Sequence, residues 1–270
     1  MAKRKRNSEG EYIPPDDSKE VWKSTSKWRE YQMEILKLRV IEGSLREIVN
    51  EILSIQDGSL ENILLPQVTV SNGEAPPALP EFQERFYNKI AQVLDFSDEP
   101  PTDLIISELL DSLHFCQNNL RFRPRPHLEI EWKNRGISSE ADFGIYSKVN
   151  GMAEYMMVVE AKRRAARPER QLCGEMLVAS YNRFSRTAKD QEVFGMMVMG
   201  SEVRFYKATF SEKYLTSLSR DKSPEEQIDV LSYPFRSHRP LSLTTYEGRR
   251  EIAVILLSIR KNIIEIIENE

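Results

Sequence analysis

The chain has 270 residues, 40% of them hydrophobic and 30% charged, which suits one large globular domain or a core with an appendage. A net charge of −4 excludes a chain that binds polyanions with its whole surface, so any nucleic-acid site must come from a local concentration of Lys and Arg. The longest apolar runs, around Tyr155–Val159 and Ile252–Ile259, are far shorter than the roughly 20 residues of a membrane span, and no hydrophobic signal core opens the chain.

Cys116 and Cys173 match no zinc spacing and are expected to be free, half-buried thiols in a reducing, intracellular compartment. Residues 1–19 are polar, carry Pro14-Pro15 and are expected to form a disordered tail. Within it, Lys3-Arg4-Lys5-Arg6 is either a nuclear import signal or a solvated charge run. From about Glu20 to Ile55 the spacing of Ile41, Leu45, Ile48, Val49, Ile52 and Leu53 predicts a helical region, stopped by Asp57-Gly58. The proline-rich stretch Ser71 to Pro80 is a candidate linker, so residues 20–79 form an N-terminal region and residues 80–270 the main domain.

Phe82, Phe86, Ile90, Val93 and Leu94 outline a second helix. Thr102 or Asp103 is placed to cap a third, with Ile105, Ile106, Leu109, Leu110 and Leu113 on its apolar face. After Pro126 the period becomes two: strands are expected at His127 to Trp132, Glu140 to Tyr146 and Glu154 to Lys162. Asn150-Gly151 makes the last two an antiparallel hairpin. A helix at Glu169 to Phe184 and strands at Val193 to Met199 and Val203 to Ala208 follow, with an irregular stretch from Ser211 to Leu243. The closing helix, from about Glu247, carries a stripe of Ile252, Ile255, Leu256, Ile259, Ile263, Ile266 and Ile267 that serves either the core or a homo-oligomer interface.

The chemistry concentrates on Glu160-Ala161-Lys162. Side chains alternate on a strand, so Glu160 and Lys162 share one face, at the end of an apolar run where the strand is expected to emerge from the sheet. The hairpin brings Asp142, near the start of the preceding strand, next to them. Two carboxylates and an amine at one point suit Mg²⁺ or Mn²⁺, which take oxygen ligands and leave room for water and phosphate. An exposed acid–base pair of this kind is otherwise an ordinary surface contact.

In this order, Ala141-Asp142-Phe143, Val158-Val159-Glu160-Ala161-Lys162, the helix from Gln171 to Asn182 and the strand pair from Val193 to Tyr206 resemble the PD-(D/E)XK nuclease superfamily. The resemblance runs from about His127 to Phe210 and extends loosely to nuclease-like domains of fungal and crinkler-type proteins. It implies an α/β, restriction-endonuclease-like core: a mixed central sheet flanked by helices, joined here by an N-terminal helical region and a long C-terminal helix. It also implies Mg²⁺-dependent phosphodiester hydrolysis, with Asp142 and Glu160 as metal ligands, Lys162 assisting the water and Gln171 positioning the site. Superfamily members often add an acid from a preceding helix; Glu108 is the candidate here and Glu84 the second choice. The family's proline is Ala141 in this chain, and Glu175, one turn after Gln171, is either a functional neighbour or helix surface. Some members keep the fold without activity, which leaves a nucleic-acid-binding scaffold as the alternative.

Between Lys162 and Lys189 eight basic residues face only Glu169 and Glu175. Arg163, Arg164, Arg167 and Arg170 lie nearest the proposed site and are the candidates for holding nucleic acid, DNA before RNA. Tyr181, Phe184 and Tyr206 could stack on bases but also suit a core. The three histidines show no metal pairing, and no P-loop, dinucleotide-binding turn or nucleophile elbow is present.

Overall fold

The structure is a computed structural model, described over residues 24–55, 60–65, 68–71, 77–95, 99–132, 135–162, 168–235 and 237–269. The basic tail, including Lys3-Arg4-Lys5-Arg6, lies outside these residues. So do Arg163, Arg164 and Arg167.

The segment expected to be helical over 20–55 divides instead. A 3-10 turn (Thr25–Lys27) and a short helix α1 (Glu30–Ile35) lead to strand β1 (Leu38–Glu42), then to the single turns α2 (Leu45–Ile48) and α3 (Glu61–Leu64). Lys37 stops α1 in a left-handed conformation, φ 48°, and the β-branched pair Val40-Ile41 then lies in a strand, where such side chains pack well. Leu45 and Ile48 keep helical spacing for one turn only, and Ile52 is 44% exposed. The N-terminal region is thus woven into the main sheet through β1.

Helix α4 (Glu81–Asp95) appears where expected, but α5 (Glu99–Ser112) begins at Glu99 rather than at a Thr102 or Asp103 cap. Pro100 and Pro101 fall in its first turn, where a missing N–H breaks no helical bond. Strand β2 (Leu120–Pro124) follows, then β3 (His127–Trp132), β4 (Arg135–Glu140), β5 (Phe143–Val149) and β6 (Met152–Lys162). The strand expected over 140–146 is therefore split at Ala141-Asp142, and β3 pairs only with β4, in a separate two-stranded sheet. Asn150 and Gly151 take φ values of 51° and 81°, the left-handed pair that a tight hairpin turn requires, and β5 and β6 pair across it with one bulge at Ile145/Tyr146.

Helix α6 (Glu169–Thr187), β7 (Gln191–Met199) and β8 (Glu202–Phe210) match their expected places. The stretch expected to be irregular holds α7 (Glu212–Ser219), β9 (Ile228–Tyr233) and the short β10 (Leu241–Ser242), before α8 (Tyr246–Glu268) closes the chain. The main sheet is eight-stranded and mixed, in the order β1-β9-β8-β7-β6-β5-β2 with β10 paired to β8; β1/β9 and β6/β7 are parallel and the other pairs antiparallel.

One face of the sheet packs against α4, α5 and α8; the other packs against α6, α7 and the β3–β4 hairpin. Ile252, Ile255, Leu256, Ile259 and Ile263 of α8 are all buried in the first core, so that stripe is occupied within the chain. Among the described residues no helix is long and apolar enough to cross a membrane. Cys173 is buried and Cys116 exposed, and neither forms a disulfide.

Candidate active site

Strand β6 is buried on both faces from Glu154 to Ala161, so its direction fixes where its polar residues go. Val159 and Ala161 belong to the core under α4, α5 and α8, and Val158 to the core under α6. By alternation Glu160 points at α6. It does not emerge from the sheet as expected: its exposure is 0%, and only Lys162, beyond it, reaches the surface in part.

The hairpin register pairs Phe143 with Val159, which sets Asp142 just outside the ladder, level with Glu160 and Ala161. There the Ala161 N–H donates to Asp142 Oδ2 at 2.6 Å, so a side-chain carboxylate takes over where β5 stops pairing. This bond gives the interruption at residue 142 its physical reason and fixes the carboxylate at the sheet's end. Lys162 Nζ forms an ion pair with Glu160 and lies 3.8 Å from Asp142 Oδ2. Asp142, Glu160 and Lys162 are thus brought together.

Helix α6 adds a fourth member. Gly195 on β7 is what lets the helix come close: a Cβ there would lie 2.9 Å from Met176 Sδ and 3.2 Å from Leu172 Cδ2. Glu175 consequently sits fully buried against the sheet rather than on the helix surface, with Gln171 Nε2 donating to its Oε1 at 2.9 Å. Gln171 therefore acts on the site through Glu175.

The electrostatics follow from burial. Desolvation, then the charge of Asp142, pushes the Glu160 carboxyl up to about 7 against the opposing pull of Lys162. Burial, then Glu160, pushes Glu175 well above the usual carboxylate range. Both Glu160 oxygens and Glu175 Oε2 are buried without a donor of hydrogen-bond geometry among the described residues. The two carboxyls lie within hydrogen-bonding reach of each other, and that contact raises the Glu175 carboxyl while lowering that of Glu160.

No family model matches the chain, and no curated protein does. Function must therefore be derived from these residues.

Among the described residues no group of three or more His, Cys, Asp or Glu side chains is arranged to hold a metal ion as it stands. The acids here close around the Lys162 ammonium instead. Their chemistry nevertheless fits a hard divalent cation: all offer carboxylate oxygens, and Glu160 Oε2 is buried without a hydrogen-bond donor among the described residues.

Other expectations need correction. Glu108 belongs to α5, in the helical layer on the opposite face of the sheet from Glu160, and its carboxylate pairs with Lys89 of α4. Glu84 is exposed on α4. The acid that joins the site is Glu175, from the helix after the strands rather than before them. The basic cluster is also smaller than its count suggests: Arg170 pairs with Glu30, Arg186 with Glu154 at 3.3 Å, and the buried Arg183 donates to the Glu192 carbonyl at 3.1 Å. Phe184 and Tyr206 are core residues, and the Tyr206 hydroxyl donates to Glu169 Oε1 at 3.1 Å.

Proposed function

We propose that this protein hydrolyses phosphodiester bonds in nucleic acid, DNA foremost, with Mg²⁺ or Mn²⁺ held by Asp142 and Glu160. The observation that carries the reading is Glu160. A fully buried carboxylate met by one ammonium, that of Lys162, and set beside the acids Asp142 and Glu175 is a costly arrangement. Titratable groups pushed this far by burial and like charge cluster at functional sites.

A divalent ion bound there supplies Lewis-acid stabilisation of the phosphate and a more acidic water. The chain's own residues do the rest. Asp142 is oriented by the Ala161 N–H, which fixes its carboxylate at the mouth of the site. Lys162 carries a positive charge at the partly exposed mouth of the site, where it offsets charge building on a phosphate and orients the attacking water. Glu175, held by Gln171, accepts or releases a proton as the site changes charge.

Plasmid DNA, linear DNA and RNA incubated with the purified protein, with and without EDTA, test the reading. Cleavage should need a divalent metal and fall by on the order of 10²-fold or more in Lys162→Ala. Nucleic-acid binding with no cleavage under any metal would replace it with a binding scaffold. We further assign Lys3-Arg4-Lys5-Arg6 to nuclear import, checked by whether the reporter-fused protein leaves the nucleus when the four are changed to Ala.

A further inference from the structure

The sheet's edge beside the site is strand β2, and it carries Arg121-Phe122-Arg123-Pro124-Arg125. All three arginines are exposed. Leu120 and Phe122 pack into the core under α4, α5 and α8, so by alternation Arg121 and Arg123 face the other side of the sheet, the side to which Glu160 points. Arg123 lies within hydrogen-bonding reach of the Tyr155 hydroxyl, and Arg121 donates to the Cys116 carbonyl at 3.0 Å. At the strand's end Arg125 turns with φ 46°, and its backbone N–H donates to the Asp142 carbonyl at 2.9 Å. The row therefore ends on the backbone of a site residue.

We propose that Arg121, Arg123 and Arg125 form a track for the phosphate backbone of a nucleic-acid strand, leading it to Asp142 and Lys162. This deepens the nuclease reading and rests on it for the direction of the strand. The spacing fits: arginines two residues apart on a strand recur roughly every 7 Å, close to the separation of neighbouring phosphates along one strand. The charge fits too, since the segment from Leu120 to Leu128 has no acid in a chain of net charge −4. Edge strands also carry charge and proline to block pairing with other sheets. Guarding an edge needs no particular sign, and here every charge is positive, with Arg121 and Arg123 on the side of the acids. Among the described members of the other basic segment, Arg170, Arg183 and Arg186 are already engaged.

The test is binding of labelled single-stranded and duplex DNA in EDTA, by fluorescence anisotropy across a salt series, with cleavage measured in parallel in Mg²⁺. Arg123→Gln with Arg125→Gln should weaken binding on the order of 10-fold and lower the slope of log K against log salt by roughly 1.4–1.8, the loss of two phosphate contacts. Arg123→Lys with Arg125→Lys should stay within a few-fold of the wild type, and Arg220→Gln, on the C-cap of α7, should bind as wild type does. Unchanged affinity and slope in the glutamine pair overturns the track while leaving hydrolysis standing. So does equal weakening in both pairs accompanied by a lower melting temperature, which would make the arginines structural. A wild type that binds no DNA overturns it as well. Binding that weakens as stated, without cleavage in any metal, supports the track and removes the hydrolysis.

Discussion

Changing Glu160 to Gln should stabilise the fold and silence the site at once, and the size of the gain follows from burial. The carboxyl titrates near 7 in the folded chain against about 4.5 for an unconstrained glutamate, because desolvation and then Asp142 oppose its charge; that net value already includes the favourable pull of Lys162. Between pH 4.5 and 7 the folded state keeps a proton that the unfolded state has released. Stability therefore falls as pH rises through that window and levels off above it. The difference amounts to about 3 kcal/mol at pH 8.5 for this group alone, and Glu175 adds to it in the same direction. Glutamine keeps the shape, donates toward Glu175 and carries no charge. Glu160→Gln should thus match the wild type in urea unfolding near pH 4.5 and exceed it at pH 8.5 by up to about 3 kcal/mol, or on the order of 5–10 °C in Tm. A variant equally destabilised at both pH values, or wild-type stability rising between pH 5 and 7, would refute the account of a strained carboxylate.

The same strain makes a metal effect measurable without turnover. Mg²⁺ at about 100 times its Kd should stabilise the wild type by roughly 2.7 kcal/mol at neutral pH and leave Glu160→Gln unmoved, as read by thermal melts. Arg249, 2% exposed, donates to the carbonyls of Leu64, Leu65, Val68 and Leu243, so Arg249→Met should cost about 3 kcal/mol or more in urea unfolding. Thr245→Ala removes the side-chain acceptor of the Gly248 N–H at the start of α8 and should cost about 1 kcal/mol by the same measurement. Gly195→Ala places a methyl 2.9 Å from Met176 Sδ, and should depress metal-dependent cleavage more than it lowers the melting temperature, since it lifts Glu175 from the sheet.

Legibility in the sequence followed the length and consistency of the local pattern. The β5–β6 hairpin was readable because Asn150-Gly151 demands left-handed backbone and the flanking strands are long. Helix α8 was readable because its stripe, Ile252 to Ile267, runs through about four turns, all facing one core. Strand β1 was misread because Ile41, Leu45, Ile48 and Val49 hold helical spacing across an element boundary, and only pairing with β9, nearly two hundred residues later, decides between strand and helix there. The two-residue repeat of β9, with Ile228 and Val230 inward, is too short to stand out among polar neighbours.

The site shows the same limit from the side of chemistry. Asp142, Glu160 and Lys162 could be placed together because hairpin register and strand alternation are local rules. Glu175 could be offered only as a functional neighbour or as helix surface, since a glutamate one turn after Gln171 fits both until the other side of α6 is known to be covered. What covers it is non-local: the 3-10 turn at Thr25–Lys27 and the β3–β4 hairpin pack on the outer face of α6, so the helix has no wet side over residues 172–180. Within that stretch lie Cys173, Met176, Leu177 and Val178, and the one acid among them persists at a site that apolar packing would fill at lower cost. A buried acid facing a second buried acid is hard to explain by stability, since Glu175→Leu should pack as well and remove a repulsion. If that variant proves more stable than wild type at pH 8.5 and loses metal-dependent protection against heat, the acid is retained for charge and not for fold. If it instead unfolds the chain at every pH, Glu175 is structural, and the site reduces to Asp142, Glu160 and Lys162.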